Sequence, residues 1–168
     1  MNLNVIKLAN RVLKKYKTRN ADELAEELGI LVIPRDFKRQ KGVYKVIERN
    51  RFVFIKKDLH PVMHSIVLLH EIGHDILHRR EAVKIGGFKE FNLFDMSNNR
   101  MEYEANLFAA QISLPDEDIL DLIMQGYDVA QVAACMNSDI NLVALKVAEL
   151  NSRGSELVEP SHRNDFLK

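Results

Sequence analysis

Apolar and polar positions follow two rhythms along this chain, one near 3.6 residues and one near 2. Val5, Leu8, Ala9, Val12 and Leu13 recur at helical spacing, with Lys7, Arg11, Lys14, Lys15 and Lys17 on the other faces, which predicts an amphipathic first helix. A second helix is predicted over 21–28, capped by Thr18 or Asn20, with Asp22 and Glu23 in its first turn and Gly29 as its stop. Ile30-Leu31-Val32-Ile33, closed by Pro34, reads as a short strand. Residues 43–47 and 52–55 are two more, joined by a hairpin turn over Glu48-Arg49-Asn50-Arg51. These pieces predict a small, mostly antiparallel sheet.

Pro61 suits the first turn of a long helix that reads on to about Arg80. From Gly86-Gly87 to Asn98-Asn99 the pattern is irregular or partly extended, with Phe88, Phe91, Leu93 and Phe94 as apolar contacts. A further helix spans about 100–112 and ends before Leu114-Pro115. Three short helices are predicted over 116–124, 129–136 and 141–150, and periodicity is lost from Ser152. The expected fold class is therefore α+β and mostly helical. Its core covers 1–115, a C-terminal helical extension packed on that core covers 116–151, and a loose tail covers 152–168.

Composition leaves this picture intact: of 168 residues, 46% are apolar and 29% charged, which is ordinary for a globular protein. No run approaches the roughly 18 apolar residues of a membrane span. The N-terminus, Met1-Asn2-Leu3-Asn4-Val5-Ile6-Lys7, shows no secretion signal, so a cytoplasmic protein is expected. Cys135 is the single cysteine, which excludes an intramolecular disulfide and a thiolate metal cluster. Charge does change the picture. Residues 1–57 hold fifteen Lys/Arg against six Asp/Glu, whereas 102–150 hold nine Asp/Glu against Lys146 alone. Two solvated faces of opposite sign account for this most simply, and a basic surface meeting a negative partner is the alternative.

The chemistry lies in the long apolar helix, at His70-Glu71-Ile72-Gly73-His74. Residues four apart share a helix face, so His70 and His74 aim two imidazoles at one place and can fill two corners of a zinc tetrahedron. Glu71 is rotated by about 100° and flanks the metal, where it can act as general base and acid on an attacking water. A buried helix with two His and a Glu needs partners for three polar groups, and a metal supplies them together. Gly73 costs about 1 kcal/mol inside a helix, and clearance for another segment or for substrate backbone would offset that.

A catalytic zinc site takes three protein ligands. His78 is close in sequence but lies about 12 Å along the helix axis from His70, so it suits a supporting or helix-terminal role. Arg80 stands where a third histidine of the metzincin spacing would be. The better third ligand is Glu102, in a helix whose Ala105, Ala109 and Ala110 permit close approach. Asn106, stacked on Glu102, can hold a histidine ring from behind. Glu104 faces roughly the opposite side and reads as solvated. Zinc is the expected ion, and manganese suits the same two His and one Glu.

With these residues in view, the chain resembles the ImmA/IrrE family of zinc metallopeptidases. The matching stretches are Ala21-Asp22-Glu23-Leu24-Ala25-Glu26-Glu27-Leu28-Gly29-Ile30, the run from Val67 through His78, and Glu102-Tyr103-Glu104-Ala105-Asn106-Leu107-Phe108-Ala109-Ala110-Gln111-Ile112-Ser113-Leu114-Pro115. The resemblance implies a zincin-like, thermolysin-like core with His70, His74 and Glu102 as ligands and Glu71 as general acid/base. It also implies cleavage of a helix-turn-helix repressor in mobile-element, phage-related or stress regulation. The sequence departs from the family at Gln111-Ile112-Ser113-Leu114, where two aliphatic residues and Met are commoner, and looser packing at that helix end is expected.

Residues 126–150 resemble the helix-turn-helix that often follows the family's peptidase core. A DNA reader needs basic residues on its second helix, and Lys146 is alone there, so protein docking fits better than DNA binding. A basic repressor would suit the acidic face. Residues 84–99 could offer an edge strand to an extended substrate segment. Tyr103, His78 and His64 are the candidates for stabilising an oxyanion. Two other readings stand beside the peptidase: a non-catalytic repressor-binding module, and a zinc hydrolase acting on something other than peptide.

Overall fold

The computed structural model describes residues 2–90 and 100–154, with side chains for all of these except 2, 3 and 88–90. The described elements run α1 (Asn2–Tyr16), α2 (Ala21–Leu28), β1 (Leu31–Arg35), β2 (Gly42–Ile47), β3 (Asn50–Lys56), α3 (Pro61–Ile85), β4 (Phe88–Glu90), α4 (Arg100–Ser113), α5 (Asp116–Met124), α6 (Val129–Cys135) and α7 (Ile140–Ser152). This is a mostly helical α+β protein. It divides into two compact units, Met1–Ser113 and Leu114–Lys168. The expected irregular stretch at 91–99 and all but the first three residues of the expected loose tail lie outside the described residues. No helix among the described residues is long and apolar enough to cross a membrane.

In the first unit the sheet order is β1-β3-β2-β4. β2 pairs antiparallel with β3, Ile47 opposite Asn50, which leaves Glu48-Arg49 as a two-residue turn with both φ positive, at 48° and 69°. That geometry matches the twist of the flanking strands. β4 pairs antiparallel with the other side of β2. β1 runs parallel to β3, so the sheet is mixed and, as expected, mostly antiparallel. The hairpin opposes β2 to β3, and β1 lies on the far side of β3 running against β2. Pro34 sits inside β1 rather than ending it, opposite Ile55, and β1 is an edge strand, where a missing N–H is tolerated.

Local signals explain the helix limits. Asn20 accepts from the N–H groups of Asp22 and Glu23, and Gly29 closes α2 in the left-handed region. α3 starts with His60 as cap and Pro61 behind it, and it runs five residues beyond its expected end, with a break at His78 (φ −127°, ψ 21°). It is held on the sheet by apolar packing and by Asp75. The Tyr44 hydroxyl donates to Asp75 Oδ1 at 2.6 Å, Arg51 Nη1 donates to Oδ2 at 2.9 Å, and Arg79 donates to both oxygens. The end of α4 is tied rather than loose. Buried Gln111 donates to Asn10 Oδ1 at 2.9 Å, and Arg19 donates to the carbonyls of Gln111 and Ile112.

In the second unit α6 opens with a capping box between Asp128 and Gln131. The Lys146 ammonium is fully buried and donates to Asp116, which also accepts from Arg153 at 2.8 Å. Burial pushes the Asp116 carboxyl upward, but the hydrogen bonds from Lys146 and Arg153 outweigh it and hold the group below its ordinary value. Replacing Asp116 with Ala strands a buried ammonium and is expected to destabilise this unit by about 3 kcal/mol at neutral pH. A group with a lowered folded pKa stabilises above its unfolded value and loses that effect as pH falls through the folded one. Urea melts of wild type and Asp116→Ala should therefore converge as pH falls below 3.8.

Candidate metal centre

His70 and His74 project from one face of α3, and Glu102 meets them from the first turn of α4. Their ligand atoms converge on a single point in space. His70 Nε2 and His74 Nε2 are 3.0 Å apart, and Glu102 Oε2 lies 3.1 Å from the first and 3.3 Å from the second. Metal bonds of about 2.05 Å in a tetrahedron put ligand atoms about 3.3 Å from one another, so the spacing suits a zinc-sized ion. Among the described residues these three form the one group of metal-ligand type. Both histidines are buried, and the Glu102 side chain is 20% exposed, so the site is closed toward the core and open on the carboxylate side.

Gly73 makes this approach feasible. A Cβ there would lie 3.1 Å from both Cα and O of Ala105, tighter than ordinary packing, so α3 and α4 touch backbone to backbone beside the ligands. The clearance that Gly73 was expected to provide is thus for α4. Asn106, one turn past Glu102, is buried and accepts from His70 Nδ1 at 2.8 Å through Oδ1.

His78 stands outside the cluster but touches it. Its Nδ1 is 3.2 Å from His74 Nδ1, and its Nε2 is 3.0 Å from Glu104 Oε2. The tautomers that satisfy both contacts have His74 Nδ1–H donating to His78, and His78 Nε2–H donating to Glu104. Arg100 then donates to the other Glu104 oxygen at 2.7 Å. Glu104 is only 16% exposed, so the expectation that it faces water is overturned. A wheel of α4 alone sets it opposite Glu102, but the break at His78 swings that ring to meet it. His64, one oxyanion candidate, pairs with Asp22 of α2 at 3.1 Å.

The electrostatics favour a cation. Burial pushes His74 down to about 4, against the hydrogen bond to Glu102 and with the help of the neighbouring His70, so the ring is neutral near pH 7. Burial would raise Glu102, but hydrogen bonds from His70 and His74 outweigh it and hold the carboxyl well below the usual range. Those bonds need protons on Nε2. With the Nδ1 protons directed at Asn106 and His78, each Nε2 presents a lone pair instead, the form of imidazole that can ligate a metal ion.

Residues 25–147, which include His70, Glu71, His74, His78, Glu102 and Asn106, match the model of the IrrE N-terminal-like domain, a peptidase family. The chain belongs to this family. It is 40% identical over 107 residues to the uncharacterized immunity region protein 2 of Bacillus phage phi105, a match covering 63% of the chain and 65% of that protein's length. It is also 24% identical over 143 residues to metallopeptidase ImmA of Bacillus subtilis (strain 168), covering 84% of the chain and 82% of that protein. The IrrE N-terminal-like region takes in most of the first unit and most of the second.

In this IrrE-like domain Asn106 and His78 stand behind His70 and His74, so their loss is expected to be felt in metal affinity. His78→Ala and Asn106→Ala should each weaken zinc binding by about 10- to 100-fold, measured by competition with a chromophoric chelator. Gly73→Ala should also weaken zinc binding, although Ala favours the helix by about 1 kcal/mol. Unchanged zinc affinity in Gly73→Ala would show that the helix crossing has no bearing on the site.

Proposed function

We propose that the protein is a zinc-dependent endopeptidase that cleaves a helix-turn-helix repressor and so relieves repression of phage- or mobile-element genes. The observation that carries the chemistry is the convergence of His70 Nε2, His74 Nε2 and Glu102 Oε2 at 3.0–3.3 Å, with buried Glu71 next to the first ligand on the same helix. His70, His74 and Glu102 would hold the ion, and two His with one carboxylate is a donor set used for catalytic zinc. Zinc bound there supplies Lewis acidity, polarising a carbonyl and acidifying water. Glu71 takes the proton from the attacking water and returns it to the leaving amine nitrogen. Asn106 and His78 fix the two rings in the tautomer that offers Nε2.

The substrate class rests on kinship and charge. The relatives are named for a phage immunity region and for metallopeptidase activity. The stretch 102–150 carries nine acidic residues against one Lys. That Lys is Lys146, buried on Asp116, so it offers no ammonium to a phosphate. A basic DNA-binding protein complements such a surface better than DNA does. β4 is an edge strand among the described residues, and strand addition there would take an extended peptide.

Co-expression with a small helix-turn-helix repressor encoded beside this gene should yield repressor cut at one site. Chelation should abolish cutting, and added zinc should restore it. Glu71→Gln should retain zinc and lower the rate by about 100- to 10,000-fold. If Glu71→Gln relieves repression as well as wild type does, the protein acts by binding and not by proteolysis.

A further inference from the structure

We infer that Gly42 is a positioning residue for Glu71: the side chain absent from β2 is the space that the Glu71 carboxylate occupies. The inference rests on the role proposed above for Glu71. Gly42 is buried and lies within the sheet, opposite Ile55 on β3 and Glu90 on β4. Glycine weakens a strand interior, so its presence there marks either an unusual backbone or a close approach. The backbone is not the reason, because Gly42 is not among the positive-φ glycines. Close approach is. A Cβ at position 42 would overlap Glu71 Oε1 and sit 2.9 Å from Val67 Cγ1 and 3.1 Å from Glu71 Cδ.

What keeps β2 this near to α3 lies two residues on. Tyr44 shares the strand face of Gly42, and its hydroxyl donates to Asp75, four residues after Glu71. Two strand residues advance about 6.7 Å and four helical residues about 6 Å, so the two elements stay in step over one turn. Tyr44 therefore anchors the strand, and Gly42 meets the carboxylate. With the β2 backbone against it, Glu71 is confined to the rotamers that point along the strand rather than into it. A methyl group at position 42 turns or shifts the carboxylate without touching any of the three proposed ligands.

Gly42→Ala should fold and bind zinc with wild-type affinity, while cutting the same repressor about 100-fold more slowly, with the loss in kcat and not in KM. Its Tm should fall, and the fall should be smaller in a Glu71→Asp background, where the shorter carboxylate vacates the contested space. Wild-type cutting by Gly42→Ala beside an inactive Glu71→Gln overturns this inference alone. A Glu71→Gln protein that still cuts removes the reading on which it rests. An equal fall in Tm in both backgrounds also overturns it, as does a Gly42→Ala chain that fails to fold and is not rescued by Glu71→Asp.

Discussion

At Gly73 the backbones of α3 and α4 approach so closely that one methyl group would press on Ala105. That contact governs the N-terminal unit. Imidazole and carboxylate side chains are short, and two helices at the usual 8–10 Å spacing would hold His70 and His74 away from Glu102, which they meet at 3.1–3.3 Å. Small residues at 73 and 105 close that distance. The cost of glycine in a helix interior, about 1 kcal/mol, is offset by the geometry it permits.

The same closeness creates a burial problem. His70, Glu71, His74, Asp75 and His78 are all buried within nine residues of one helix, with Asn106 facing them from the next. Polar groups in such a place destabilise a fold unless each finds a partner. The resolution differs by side. Toward the sheet, Asp75 gathers Tyr44, Arg51 and Arg79. Toward α4, Asn106 and the His78–Glu104–Arg100 chain take the outer nitrogens of the two histidines. In the middle, the Nε2 atoms of His70 and His74 and Oε2 of Glu102 meet at 3.0–3.3 Å, a grouping that could hold a metal ion.

Much of this was legible in the sequence because the signals were local. Asn20, Gly29, Pro61 and the His70/His74 spacing each act within one turn, and each element formed where these residues set it. Glu102 was accessible too, through its position beside small residues on an amphipathic helix. The rest depended on tertiary contacts. Glu104 was misread because the helix that covers it bends at His78, and nothing in the local pattern reports that bend. The parallel entry of β1 depends on which side of the hairpin it joins, which alternation alone does not encode. Gly42 gave no hairpin or cap signal. A glycine at the edge of the run Val43-Tyr44-Lys45-Val46-Ile47 carries no sign in the sequence of the helix side chain it must clear.

The Asp75 knot has a consequence for how far scaffold and site depend on each other. Tyr44 on β2 and Arg51 on β3 lock α3 to the sheet one residue beyond His74, and Arg79 of the same helix holds the Asp75 carboxylate in place. Apolar packing of Val67, Leu68, Leu69 and Ile72 does the same from the core. These contacts are made by the chain's own side chains, a different footing from small zinc modules whose folding free energy is their metal-binding free energy. In the reading proposed above, the bonds that fix the helix and the atoms that would hold the ion are therefore different sets, so a substitution in one need not disturb the other.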